Sequence, residues 1–175
     1  MKCTECGNAM TKTIGDHVYR ESGMSHVVLR NVPLYDCESC GAHRVVIERM
    51  AQLHRLLAHI IATKPTRLAP SEVRFLRDHL ELTNRDFATL MGVSETQASR
   101  WTSAEPIGVP AERFLRVIAT MGPIVIAAGP PTVKLGKIKD GEFIALPSKD
   151  EEAKEMPVRI RRTPSDWKQE QPAAA

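Results

Sequence analysis

The sequence predicts an α+β protein made of a small, β-rich, zinc-binding N-terminal module and an all-α helix-turn-helix domain. An amphipathic helix joins the two, and a β-hairpin and a disordered tail follow. Three observations carry this reading. All four cysteines lie in two Cys-x-x-Cys pairs within the first 40 residues, the middle of the chain repeats apolar residues at steps of three and four, and the last residues are dominated by alternating acids and bases. The corresponding segments are 1–46 for the zinc-binding module, 47–66 for the helix and linker, 67–122 for the helix-turn-helix domain, 123–147 for the hairpin and 148–175 for the flexible tail.

A chain of 175 residues with 42% apolar content can bury two small cores more readily than one large one. Lys and Arg number 24 against 21 Asp and Glu, and the excess is spread along the chain rather than gathered into an arm. Bulk charge therefore gives no case for nucleic-acid binding, and any such case must rest on a motif. The longest apolar run, Ile124 to Ala128, is far below the ~18 residues of a membrane span. The N-terminus lacks the apolar stretch of a secretory signal. The sequence thus predicts a cytoplasmic protein with no membrane association.

In the N-terminal module the pairs are Cys3-x-x-Cys6 and Cys37-x-x-Cys40, separated by thirty residues. In a reducing compartment two such pairs converge on one tetrahedral Zn²⁺ in the closed all-thiolate geometry of structural sites. Gly7 and Gly41 follow the pairs and permit the tight turn that points backbone N–H groups at the sulfurs. Four thiolates close the metal shell and leave no activated water, so the zinc, one per chain, is structural. His17, His26 and His43 are then expected to be surface or packing residues. The thirty-residue gap reads as two strands, Thr11 to Arg20 and Ser25 to Leu34, around Glu21-Ser22-Gly23. So small a module holds itself together poorly by apolar burial, and the metal supplies the difference.

From Ile47 the residues Met50, Leu53, Leu57 and Ile60 recur at helical steps, which predicts a helix over 47–62. Lys64-Pro65-Thr66 and Ala69-Pro70 then read as an interdomain linker. Ser71 is expected to cap a helix running to His79, with Val73, Phe75, Leu76 and Leu80 on its apolar side.

The next stretch carries the functional signal. Thr83, with Asp86 three residues on, caps a helix over Asn84 to Met91 in which Phe87 and Met91 share a face and Ala88 is small enough for a close helix crossing. Gly92 supplies the left-handed residue of a sharp reversal and Val93 plugs the corner. Ser94, with Gln97 three residues on, caps a second helix, Glu95 to about Ser103, with Ala98 and Trp101 inward. Val109-Pro110 opens a further helix, whose Phe114, Leu115, Val117, Ile118 and Met121 are expected to complete the core.

With Ala98 and Trp101 buried, the second helix turns Glu95, Thr96, Gln97, Ser99 and Arg100 outward. Arg donates two hydrogen bonds to guanine, Gln pairs with adenine, and Thr offers a hydroxyl and a methyl to thymine. Thr96, Gln97 and Arg100 are therefore the expected base contacts. Thr83, Asn84 and Arg85 at the start of the first helix, with Ser94, Glu95 and Ser99, are expected to make backbone or secondary contacts to double-stranded DNA. Such modules usually act as homodimers on palindromic operators. The alternative for these helices is an αα-hairpin used for protein contact. No convergent nucleophile or open metal site is visible, so no enzyme is predicted.

In this order, a Cys-x-x-Cys-Gly…Cys-x-x-Cys-Gly module, a helix and a Cro-like helix-turn-helix resemble the MqsA-type antitoxins, also called YgiT-type zinc-finger proteins. The resemblance covers residues 1 to 121 and includes Ser99-Arg100-Trp101 and Leu115-Arg116-Val117. It implies a zinc module that engages a ribonuclease toxin, a dimeric DNA-binding domain on a palindromic operator, and an autorepressing antitoxin of a type II toxin-antitoxin system. Thr96 stands where that family has a base-reading asparagine, so a different operator sequence is implied. A free-standing transcription regulator without a toxin, or a zinc-module protein adapter, are the alternatives.

Overall fold

The computed structural model describes residues 1–121 and 152–170. The hairpin expected over 123–147 lies outside these residues. The described chain is α+β and divides into two compact units, the first holding residues 1–21, 25–53 and 157–170, the second residues 22–24, 54–121 and 152–156.

The first unit is a five-stranded sheet. Strands β1 (Thr11–Val18) and β2 (Val27–Asp36) form an antiparallel pair, and β3 (His43–Val45) returns antiparallel along the far half of β2. The near half of that β2 edge is taken by β4 (Val158–Arg162), which runs parallel to it with Val27 opposite Val158 and Leu29 opposite Ile160. Strand β5 (Trp167–Gln169) pairs antiparallel with β4. Val27, Leu29, Val158, Ile160 and Trp167 are buried, as the period-2 alternation of a half-buried sheet requires.

Asn31 lies between the two halves of β2 with φ at 61°, a left-handed conformation that Asn tolerates better than most residues. The β1 register slips opposite it, between Gly15 and His17. The Asn31 side-chain amide donates to the Arg162 carbonyl at 2.9 Å, which ties this kink to the end of β4.

Residues 158–162 and 167–169, read above as part of a flexible tail, are therefore strands. Val158 and Ile160 alternate with arginines, and this short apolar set folds because β2 supplies the surface it cannot bury alone. The β4–β5 turn also fastens the residues before the first helix. Trp167 Nε1 donates to the Glu48 carbonyl at 3.0 Å, Arg49 donates to the Pro164 carbonyl at 2.7 Å, and Arg162 pairs with Glu48 at 2.7 Å. Arg49 itself has φ at 53°, which delays the start of helix α1 (Met50–Thr63) beyond the Ile47 expected from periodicity.

The second unit is helical, with α2 (Pro70–His79), α3 (Asn84–Met91), α4 (Glu95–Trp101) and α5 (Val109–Met121). Its core holds Leu57, Ile61, Leu68, Leu76, Leu80, Phe87, Ala98, Ile107, Leu115 and Ile118. Helix α2 begins at Pro70 rather than after Ser71, since proline has no N–H to lose in a first turn. In place of a serine cap, the Glu72 carboxylate accepts from the Ala69 amide at 2.7 Å. Helix α4 stops at Trp101 instead of Ser103.

Two further expectations are corrected. Phe114 and Val117 lie on the exposed side of α5, because a helix this amphipathic has one core-facing stripe and theirs is the other. Residues 64–70, expected to be a linker, instead wrap a buried ion network of this unit, with Lys64, Leu68 and Ala69 themselves buried. Arg116, fully buried, donates to the carbonyls of Ala62, Lys64 and Thr66 at 2.9, 2.8 and 2.6 Å and to Glu112 at 3.0 Å. Glu112 also accepts from the Leu68 amide at 2.9 Å and from Arg67 at 3.0 Å. Beside it Lys64, held by Glu72 at 2.5 Å and by the Lys154 carbonyl at 2.6 Å, has its pKa lowered by burial against the opposing pull of Glu72. Buried charges persist only when paired in this way.

Candidate metal centre and nucleic-acid interface

The candidate metal centre is built from two copies of one turn. After Cys3 the Gly7 amide donates to the Cys3 carbonyl at 3.0 Å, and after Cys37 the Gly41 amide donates to the Cys37 carbonyl at 2.8 Å. Return bonds run from the Cys3 amide to the Asn8 carbonyl at 2.8 Å and from the Cys37 amide to the Ala42 carbonyl at 2.9 Å. Gly7 and Gly41 have φ at 76° and 73°, so glycine is needed at both for its backbone freedom. The first turn leads into β1 and the second joins β2 to β3, and that topology brings the pairs together. Cys3 Sγ lies 3.6 Å from Cys40 Sγ, Cys6 Sγ lies 3.4 Å from Cys37 Sγ, and all four sulfurs fall within 4.8 Å of one another.

Cys3 and Cys37 are buried, packed with Met10 against Tyr35 and Ala42, while Cys6 and Cys40 are exposed. Backbone N–H groups aim at the sulfurs. Those of Cys6 and Glu5 hold the Cys3 thiol below its ordinary value, and that of Cys40, with the Cys6 thiol, holds Cys37 down to about 7. At Cys40 the Ala42 amide also pulls downward, but the neighbouring Cys6 and Cys37 sulfurs outweigh it and push the thiol up to about 12. Four sulfurs this close cannot all ionise without a cation among them, and a bound cation would draw off the remaining protons. The cluster could hold a metal ion. Among the described residues no histidine joins it, since His43 pairs with Asp36 at 2.6 Å and His17 with Glu21 at 3.2 Å.

In the helical unit, the Thr83 hydroxyl accepts from the Asp86 amide at 3.1 Å to cap α3, and the Ser94 hydroxyl accepts from the Gln97 amide at 3.2 Å to cap α4. Between the helices Gly92 has φ at 68°, and the Val93 amide donates to the Ala88 carbonyl at 3.0 Å, closing α3 in a left-handed turn. Phe87, Ala88, Ala98 and Trp101 are buried. That leaves Thr96, Ser99, Arg100, Glu95, Ser94, Thr83 and Arg85 exposed and Gln97 and Asn84 half-buried. Asn84 is turned inward along the corner, its amide donating to the Glu95 carbonyl at 3.1 Å. It therefore stiffens the turn between the helices.

No protein-family model, curated protein or solved structure matches the chain.

Two features escaped sequence reading. Glu105, in the turn after α4, faces Arg100 and Gln97, and only the loop path past Thr102 makes this visible. The second is the Glu112–Arg116 pair, whose sole sequence signal is two charges four residues apart beside Leu115 and Ala119. Among the described residues, no helix is long and apolar enough to cross a membrane.

Proposed function

We propose that the chain is a zinc-stabilised, sequence-specific DNA-binding transcription regulator. The observation that carries the reading is the α3–α4 corner, in which buried Ala88, Ala98 and Trp101 leave Thr96 and Arg100 exposed and Gln97 partly so on one side of α4. Laid in a major groove, that side offers a guanidinium for guanine, an amide for adenine and a hydroxyl with a methyl for thymine. Thr83 and Arg85, at the start of α3, would meet the flanking phosphates.

Zinc is the metal best suited to the four-cysteine cluster. A tetrahedron of thiolates at ~2.3 Å from the ion has sulfur–sulfur edges of about 3.8 Å, and the 3.4 and 3.6 Å separations need little adjustment to reach it. The ion would be structural, fixing the two knuckles.

The regulator would act as a homodimer on a palindrome. In the helical unit Leu90, Met91, Val93, Trp101, Pro110 and Phe114 line a groove of about 390 Å³, next to exposed Val117. An apolar surface of this kind suits a second copy. Autorepression and capture of a ribonuclease toxin by the zinc module complete the reading and rest on the antitoxin resemblance alone.

The deciding experiment is selection from a randomised duplex pool followed by footprinting. Wild type should enrich one two-fold symmetric sequence. Arg100→Ala should bind it about 10–100-fold more weakly and lose preference at one base pair per half-site. Undiminished binding by the variant would sink the assignment of α4 as the reading helix.

A further inference from the structure

The proposed reading helix ends in a turn that sends an acidic residue back along its exposed side. After Trp101 the chain coils through Thr102-Ser103-Ala104, where the amides of both Ala104 and Glu105 donate to the Arg100 carbonyl at 2.9 Å. These two hydrogen bonds fix the position of Glu105 relative to the helix end. Its carboxylate then reaches two side chains at once. One oxygen lies 3.8 Å from Arg100 Nη1, and the other accepts from Gln97 Nε2 at 3.4 Å.

We infer that Glu105 determines the specificity of DNA recognition, by holding Gln97 and Arg100 side by side and by opposing phosphate at the same surface. The inference rests on the DNA-binding reading of α4 and deepens it. Gln97 and Arg100 are three residues apart on one helix face, the spacing at which side chains are neighbours. A single carboxylate bridging them sets the distance between the two groups that read adjacent bases. The carboxylate engages one of the two Gln97 amide N–H groups and stands 3.8 Å from one Arg100 nitrogen as an ion pair, leaving the Gln97 amide oxygen, its second N–H and the guanidinium N–H groups for base edges.

The second effect is electrostatic. Non-specific binding is driven by phosphate neutralisation, and a carboxylate at the contact surface subtracts from it. Arg100 and Glu105 are both about half exposed, with side-chain exposures of 58% and 47%. The pair is therefore weak, in the range of surface ion pairs. A weak bridge yields to a correct base pair, which returns two hydrogen bonds to Arg100, but not to a bare phosphate track, which gives less in exchange. Glu105 thus lowers affinity for wrong sequences more than for the right one.

The test compares Glu105→Gln with wild type on two probes, the selected palindrome and a random-sequence duplex of equal length. The variant should bind the random duplex about fivefold more tightly with a steeper salt dependence, and the selected site no more tightly than wild type. The ratio of the two affinities should fall about fivefold or more. In an Arg100→Ala background the same change should leave base preference at the Arg100 position unaltered, because the bridge no longer has a reading group to hold. Glu105→Asp, which keeps the charge and shortens the reach, should restore weak random-duplex binding but not full base preference. An affinity ratio unchanged by Glu105→Gln, with wild type still selecting its palindrome, would overturn the inference and leave the DNA-binding reading intact. A wild type that selects no sequence would overturn both.

Discussion

The first unit gathers four sulfurs at one point beside a sheet, several of whose residues are exposed. The helical unit gathers Arg116, Glu112, Arg67, Lys64 and Glu72 in its interior and surrounds them with leucines and isoleucines. Both therefore concentrate ionisable groups at one place, at a half-exposed knuckle in the first unit and in the interior of the second. They differ in what can neutralise these groups, a cation that the four sulfurs could hold in one case and the unit's own side chains in the other. The first unit should fold only as far as the ion is available, whereas the second carries its own counter-ions and folds without one.

The largest expected effect follows directly. Structural zinc contributes an apparent ~10–16 kcal/mol to small metal-dependent folds. Strong chelation, or Cys37→Ser, should collapse amide dispersion for residues 1–45 in a heteronuclear NMR spectrum while α2 to α5 keep their native signals. Loss of dispersion in both units together would erase the distinction.

Arg116→Met tests the other side. It leaves the carbonyls of Ala62, Lys64 and Thr66 without their donor and removes a cation from Glu112. Removing one member of a buried pair costs about 3–5 kcal/mol, so the helical unit's urea midpoint should drop sharply while zinc binding persists. Adding Glu112→Gln should recover part of the loss, since the two sites share partners.

The smallest effect is a pH dependence confined to the helical unit. His54 packs edge-on against Phe75 with ring centroids 5.8 Å apart, and His79 stacks on the same ring at 6.4 Å. Burial pulls both imidazoles below their ordinary value, with His54 and Arg55 adding to the effect at His79. Below about pH 6.5 the unfolded chain binds protons there that the folded chain does not, so stability is full above that pH and is lost as pH falls toward the depressed values. Thermal melting between pH 7.5 and 5.5 should show a modest decline that His54→Gln/His79→Gln flattens.

Legibility in the sequence followed distance along the chain. The knuckles, both helix caps and the Gly92 reversal depend on residues within about six positions of each other, and each was readable because one residue type serves one local geometry. Thr83 with Asp86 and Ser94 with Gln97 are examples. The Arg116 network spans some fifty residues, so prolines at 65 and 70 suggested a linker where the backbone in fact delivers carbonyls to a buried guanidinium. The strands at 158–169 were hidden further still, because Arg159, Arg161 and Arg162 read as a solvated run until β2 is placed beside them. Val158-x-Ile160 was the available signal, too short to carry weight alone. Phe114 and Val117 are apolar yet exposed, because apolar character does not by itself imply burial.

The parallel pairing of β2 with β4 has a consequence for synthesis. The sheet around the cysteines starts at Thr11 but waits for Val158, so the ribosome finishes the helical unit first. At about 5–20 residues per second, the roughly 120 residues between β2 and β4 take about 6–24 s to appear. Over that interval the nascent cysteine knuckles have only the β1–β2 pair and the short β3 to lean on, and an ion captured early would be holding a half-built sheet.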